Sequence, residues 1–242
     1  MPETLVLLHG FAGTHRAWDL VVPELGAERY MPLVPDLPGH GTKAGVRPLT
    51  FEACVRAVLA AAPPEFALCG YSFGGRVAQH VALAAPERVT RLILVSTSGG
   101  LEDPGERAAR RAEDEALADD IEDMTGAAFA DRWQAQPVFA GTPDDAAAWW
   151  RADLLRNDPR GLADGLRAYG PGVMEPVWDR IGTLRMPVTV VVGARDTKFV
   201  GYAERYRSLL PQAGLVVIPG AGHGLPREAP RELAAAILDA DG

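Results

Sequence analysis

Short continuous runs of apolar residues recur along the chain, separated by stretches with helical spacing. Leu5–Leu8, Met31–Val34, Phe66–Cys69, Leu92–Val95, Val188–Val192 and Leu215–Ile218 are the six runs. Unbroken apolar runs of this length suit strands buried on both faces, as in a parallel sheet covered by helices. Between them, Phe51–Ala61 is Ala-rich with apolar spacing and stops at Pro63-Pro64. Gly74–Ala84 stops before Pro86, Ala203–Leu210 stops at Pro211, and Arg231–Leu238 lies near the end of the sequence. Alternating strands and helices predict βαβ units with right-handed crossovers, hence an α/β fold.

The alternation fails between Gly99 and Arg185. That stretch holds charged, Ala-rich segments such as Arg107–Ala118 and four tryptophans, Trp133, Trp149, Trp150 and Trp178. It predicts a helical cap or lid inserted at residues 99–185 into a core made of 1–98 and 186–242. Open α/β sheets bind ligands beyond the carboxyl ends of their strands, which is where such a lid would sit.

Composition adds limits. A chain of 242 residues fits one domain with an insertion and can bury roughly three quarters of its unfolded surface. A net charge of −8 argues against a general nucleic-acid binder. No apolar run is long enough for a membrane span, and no secretory signal precedes the first strand, so a cytoplasmic location is expected. Cys54 and Cys69 are the only cysteines, are expected to be core residues, and offer no metal-binding spacing. No metal or cofactor is expected, and the oligomeric state, monomer or dimer, is left open. Basic residues are nearly all arginine, with Lys43 and Lys198 the only lysines.

The chemistry gathers after the strands. Gly70-Tyr71-Ser72-Phe73-Gly74 joins an apolar strand to a helix. A Gly-X-Ser-X-Gly turn in that setting is a nucleophile elbow: the glycines let strand and helix approach while the serine projects above the sheet. His9-Gly10-Phe11-Ala12-Gly13 follows the first strand and can aim a backbone N–H at an oxyanion. The expected donor pair is the N–H of Phe11 and that of Phe73, with His9 bracing the loop. Asp196 follows the fifth strand, and His223 lies in a Gly-rich loop after the sixth. The order Ser72, Asp196, His223 is the expected one, with His223 as base and Asp196 holding the imidazole tautomer. Asp36 is the rival acid; Asp196 is preferred because its loop lies beside that of His223. His15, His40 and His80 are weaker candidates for the base.

Together with Asp36-Leu37-Pro38-Gly39-His40-Gly41, these segments resemble the α/β-hydrolase superfamily. Within it, several stretches resemble the 2-succinyl-6-hydroxy-2,4-cyclohexadiene-1-carboxylate synthases of menaquinone biosynthesis. They are Gly74–Ala78, Glu106–Arg111, Trp133–Phe139, Gly161–Ala163 and Gly193–Phe199. The resemblance implies a sheet of about six or seven strands and a lyase that eliminates pyruvate from a polyanionic small-molecule substrate. Ser72, activated by the triad, would then abstract a proton rather than form an acyl-enzyme. It also implies that Arg76, Arg110 and Arg156 bind carboxylates and that Tyr71 and Trp133 line the pocket. On spacing alone Arg107, Arg111 or Arg132 can substitute for the lid arginines. Two other readings stand beside the lyase: an ester or carbon–carbon bond hydrolase with Ser72 as nucleophile, and a non-enzymatic receptor on the same fold.

Overall fold

The computed structural model describes residues 2–241. Six parallel strands form one sheet: β1 (Glu3–Leu8), β2 (Tyr30–Leu33), β3 (Phe66–Tyr71), β4 (Val89–Val95), β5 (Val188–Gly193) and β6 (Gly214–Ile218), in the order β2-β1-β3-β4-β5-β6. The register Leu8↔Gly70, Tyr71↔Val95 and Gly193↔Ile218 brings the carboxyl ends of β1, β3, β5 and β6 to one edge of the sheet. Strand β2 contains Pro32, which a sheet tolerates at its border, where the order places it.

Strand side chains alternate between two cores, which is why the apolar runs are continuous. Val6, Leu8, Leu68, Leu92, Leu94, Val190 and Val192 face one side, and Leu5, Leu7, Ala67, Cys69, Ile93 and Val191 the other. The first side is covered by α1 (Phe51–Ala61) and α2 (Phe73–Ala84). Its α1 is capped by Thr50, whose hydroxyl accepts from the N–H of Ala53. Both cysteines are buried in these cores, and burial raises both thiols, Cys54 to about 12.

Four long helices depart from the end of β4: α3 (Pro104–Glu122), α4 (Gly126–Gln134), α5 (Asp144–Leu154) and α6 (Pro159–Tyr169). They build a third cluster around Ile121, Phe129, Leu154, Leu162 and Leu166. A short helix α7 (Trp178–Ile181) follows, then β5, α8 (Thr197–Leu209), β6, a short α9 (Leu225–Glu228) and α10 (Pro230–Leu238).

The last part of the stretch expected to form an insertion packs with the main core. Met174, Val177, Trp178, Ile181 and Leu184 pack in the main core, with Trp178 against Tyr202 and Tyr206 of α8. Trp178 is therefore a core residue. Two hydrogen bonds staple the re-entry point to the exit: Val177 N–H to Gly99 O (2.8 Å) and Trp178 Nε1–H to Gly100 O (2.9 Å). A side chain at Gly99 would collide with the Trp178 ring, its Cβ falling 2.6 Å from the indole. No helix among the described residues is long and apolar enough to cross a membrane.

Candidate active site

Ser72 occupies the turn between β3 and α2 with φ 51° and ψ −110°, a left-handed conformation strained for a residue with a side chain. The flanking glycines are sterically required: a Cβ at Gly70 would lie 2.3 Å from Gly74 O, and one at Gly74 would lie 2.3 Å from Leu8 O. The turn is held by Ser72 N–H donating to Val95 O (2.9 Å) and Thr97 Oγ1 donating to Ser72 O (2.7 Å).

The three residues picked out in the sequence come together over this turn. His223 Nε2 lies 3.1 Å from Ser72 Oγ, and His223 Nδ1 lies 2.7 Å from Asp196 Oδ2. Asp196 and His223 are both buried. With the Nδ1 proton donated to the carboxylate, Nε2 is free to accept from the serine hydroxyl. The imidazole loop is fastened by Glu228, a residue the sequence reading passed over. Its buried carboxylate accepts from Gly222 N–H (2.7 Å) and Gly224 N–H (3.0 Å), the two amides that bracket His223. Arg195, next to Asp196, donates to the same carboxylate at 2.8 Å, tying the acid loop to the base loop.

Asp36 plays a different part. It accepts from His15 N–H, the His15 ring, and the Thr42 N–H and hydroxyl, so it joins two loops away from His223. Burial opposes its ionisation, but the His15 and Thr42 donors outweigh burial and hold its pKa below the ordinary carboxylate range. His9 braces the first loop: Leu37 N–H donates to its Nε2 (2.9 Å), so Nδ1 carries the proton and donates to Gly10 O (2.8 Å). His40 is fully buried, stacks on Phe73 and meets Phe11 edge-on, and burial followed by the His9 ring lowers its pKa to about 3. Neither the Phe11 N–H nor the Phe73 N–H has a partner among the described residues, which leaves both available to an oxyanion. His80 lies in α2 against Phe51.

Above Ser72 opens a cleft of about 1010 Å³, continuous with solvent. Ser72, His223, Phe11, Phe73, Arg76, Arg110, Trp133 and Tyr169 are among its walls. Arg76 is buried, donates to Tyr169 O (2.6 Å) and lies over the Phe73 ring. Burial, and then repulsion by Arg110, push its pKa down to about 10. Arg110 is steered by Asp114, which accepts from its Nε at 2.8 Å. Lys198, two residues past Asp196, adds a third cation to the walls. The signal that could have revealed it is its rarity, one of two lysines in an arginine-rich chain. Two buried or half-buried arginines thus concentrate positive charge in this cleft, in a chain whose net charge is −8.

Not every expected residue belongs to this cleft. Arg156 sits exposed in the turn after α5 and lines neither cavity, because its neighbours Asp153 and Asn157 take the inward positions. Arg107 is spent on the Met174 carbonyl and Glu175, Arg132 on Asp120, and Arg111 is exposed; none borders the cleft. Tyr71 lines a second, smaller cavity of about 580 Å³ with no charged residue in its wall. Its ring still bears on His223, with centroids 5.5 Å apart, and stacks on Trp150. Trp133, Phe11 and Phe139 separate the two cavities and line both. Among the described residues no cluster of His, Cys, Asp and Glu could hold a metal ion.

Comparison with known proteins bears on this arrangement. A model of the alpha/beta hydrolase family matches residues 5–236. A 2-succinyl-6-hydroxy-2,4-cyclohexadiene-1-carboxylate synthase of Escherichia coli O1:K1 / APEC is 33% identical over 96% of this chain and 91% of its own length. A Bacillus subtilis (strain 168) protein provisionally given the same name is 33% identical over 95% of this chain and 86% of its own. The solved structure of MenH from S. aureus superposes with a TM-score of 0.91 at 29% identity, covering 98% of this chain and 92% of that one. A thermophilic esterase from Thermogutta terrifontis, solved with malate bound, gives 0.80 at 25% identity over 99% and 89%.

Proposed function

The chain belongs to the alpha/beta hydrolase family, and from that premise we propose that it is a lyase of menaquinone biosynthesis. In this reading it eliminates pyruvate from a polycarboxylated cyclohexene and yields 2-succinyl-6-hydroxy-2,4-cyclohexadiene-1-carboxylate. The synthases that share a third of its sequence over nearly its whole length support this. The observation that carries it is the shared cleft: the Ser72–His223–Asp196 relay opens into the same space as Arg76, Arg110 and Lys198.

The steps follow from the groups present. Arg76 and Arg110 bind substrate carboxylates, for which a planar guanidinium fork is better suited than an ammonium. Binding relieves the mutual repulsion of the two arginines. His223 Nε2 takes the proton of Ser72 Oγ, and Asp196 stabilises the imidazolium. The serine oxygen then removes the ring proton next to the succinyl carbonyl. Charge moves onto that carbonyl oxygen, where the Phe11 and Phe73 amides receive it. The electron pair returns through the ring double bond and breaks the carbon–oxygen bond to the leaving group. Pyruvate departs as its enolate and takes the proton held on His223, while Ser72 keeps the ring proton as its hydroxyl, so both groups return to their starting states. No bond forms between Ser72 and carbon. We place this reaction in the cytoplasm, in line with the two unpaired cysteines, with a small polyanion as the partner rather than nucleic acid or membrane.

The test is release of pyruvate from the isolated precursor, followed with lactate dehydrogenase. Wild-type protein should release it and Ser72→Ala should not. A folded wild-type protein that releases none overturns the proposal. A hydrolase reading is favoured by the uncharged second cavity beside Tyr71 and by the similarity to an esterase. Rapid steady-state turnover of a neutral ester, without pyruvate release, would establish it instead.

A further inference from the structure

The loop that carries the Phe11 donor is held from the lid. Ala12, the residue after Phe11, has φ 60° although it is not glycine. Such a conformation persists only where its surroundings fix it. The fixing groups come from the end of α5 and the turn that follows it. Asn157 Nδ2 donates to Ala12 O at 2.8 Å, and its Oδ1 accepts from Gly41 N–H at 2.9 Å. Asp153 accepts from Thr14 N–H through Oδ2 (2.9 Å) and from the Thr14 hydroxyl through Oδ1 (2.5 Å). Asp153 is 1% exposed, and these two Thr14 donors are its side-chain hydrogen-bond partners. The Ala12 side chain is buried in the cluster with Leu154 and Leu162.

A buried carboxylate answered by one amide and one hydroxyl of a single loop has one evident task, which is to fix that loop. The task matters because the N–H of Phe11 must point at the place where charge develops, and donor geometry decides its worth. We propose that Asp153 and Asn157 are positioning residues that set the oxyanion donor of Phe11 from the end of α5 and the turn after it. The lid thus shapes catalysis as well as covering the cleft. The inference rests on the oxyanion role given to Phe11 above, and its tests include two that need neither the lyase substrate nor the lyase reading.

The chain has seven phenylalanines, so ¹⁵N-Phe labelling gives a short list of amide signals that includes Phe11 and Phe73. Asp153→Asn, Asn157→Ala and Thr14→Val should each move the Phe11 amide signal while leaving Phe73, seated on α2, in place. The rate at which a 4-nitrophenyl phosphonate labels Ser72 should fall about tenfold or more, since losing such a donor outright costs a hundredfold or more. In the pyruvate assay kcat should fall by a similar factor with KM nearly unchanged. Thr14→Ser keeps both donors and should restore all three readouts. Asp145→Asn makes the same charge change at an exposed position of α5 and should alter none. If Asp153→Asn does not fold, Thr14→Val, which removes one hydroxyl, decides the matter. A Phe11 amide unmoved in the folded variants, or labelling within twofold of wild type, overturns the proposal. Absence of pyruvate in the wild type would defeat the lyase reading and leave the amide and labelling results to judge this one.

Discussion

Glu228→Gln is the substitution whose effect the structure specifies most closely. The carboxylate accepts from three donors: Gly222 N–H at 2.7 Å, Gly224 N–H at 3.0 Å and Arg195 at 2.8 Å. Glutamine has the same shape but one acceptor oxygen, so its amide N–H₂ must face one of the two backbone donors. A lost hydrogen bond to a charged, buried acceptor costs roughly 1.5–3 kcal/mol. The Arg195 contribution is small, about 1 kcal/mol or less, because its side chain is largely exposed. A loss near 3 kcal/mol is therefore expected, read as a lower urea midpoint at unchanged slope. The two amides bracket His223, so the imidazole should shift as well. A displacement on the order of 1 Å costs up to roughly a hundredfold in rate, and it should fall on kcat, because Glu228 does not border the cationic cleft. Stability within about 0.5 kcal/mol of wild type, the range of an ordinary surface change, together with an unaltered kcat, would refute this account of the loop.

Ser72→Ala and His223→Ala should each lower the rate by several orders of magnitude, and the double variant little further, because the relay acts as a unit; multiplicative losses in steady-state kinetics would contradict that. Arg76→Ala and Arg110→Ala should each raise KM roughly ten- to a hundredfold, the worth of a charge-assisted bond, and the Arg110 contribution should weaken as salt is added; an unchanged KM removes that arginine from the site. Acid should destabilise the fold through His40, whose pKa is lowered from 6.5 to about 3. Below pH 6.5 the unfolded chain binds a proton that the folded chain refuses, so stability falls as pH drops from about 6.5 to 3. A urea series over that range should show a shallower fall in His40→Phe; an identical slope would clear His40 of the effect.

Much of this molecule was legible in its sequence. Helix α1 lies where Ala-rich spacing and a Pro-Pro stop put it, and the buried strands follow their apolar runs. Helix α8 begins at Thr197, six residues before Ala203, and runs unbroken through Gly201, a residue type that hides its first turns in the sequence. The elbow was readable because glycine is demanded there by contacts inside one turn. Residues acting across long sequence separations were not. Asp153 is a polar residue among the inward positions of α5, a pattern that marks burial without naming the partner in a loop far away. Trp178 carries no local sign that the chain has re-entered the core. Arg156 shows the converse: a charge at a helix end can face solvent while its neighbour faces the site.

The staple between Gly99–Gly100 and Val177–Trp178 has a consequence for how the chain finds its fold. Strands β4 and β5 are adjacent in the sheet yet far apart in sequence. Once the staple closes, everything between it becomes a loop whose ends already meet, and the crossover joining the two strands shortens to the span around α7. The entropy of closing a long loop grows only slowly with its length, so lengthening or trimming the insertion leaves assembly of the sheet almost unaffected. The segment between the two ends of the staple can therefore change in length with little effect on the sheet, as long as Asp153 and Asn157 keep their hydrogen bonds to the loop of Ala12 and Thr14.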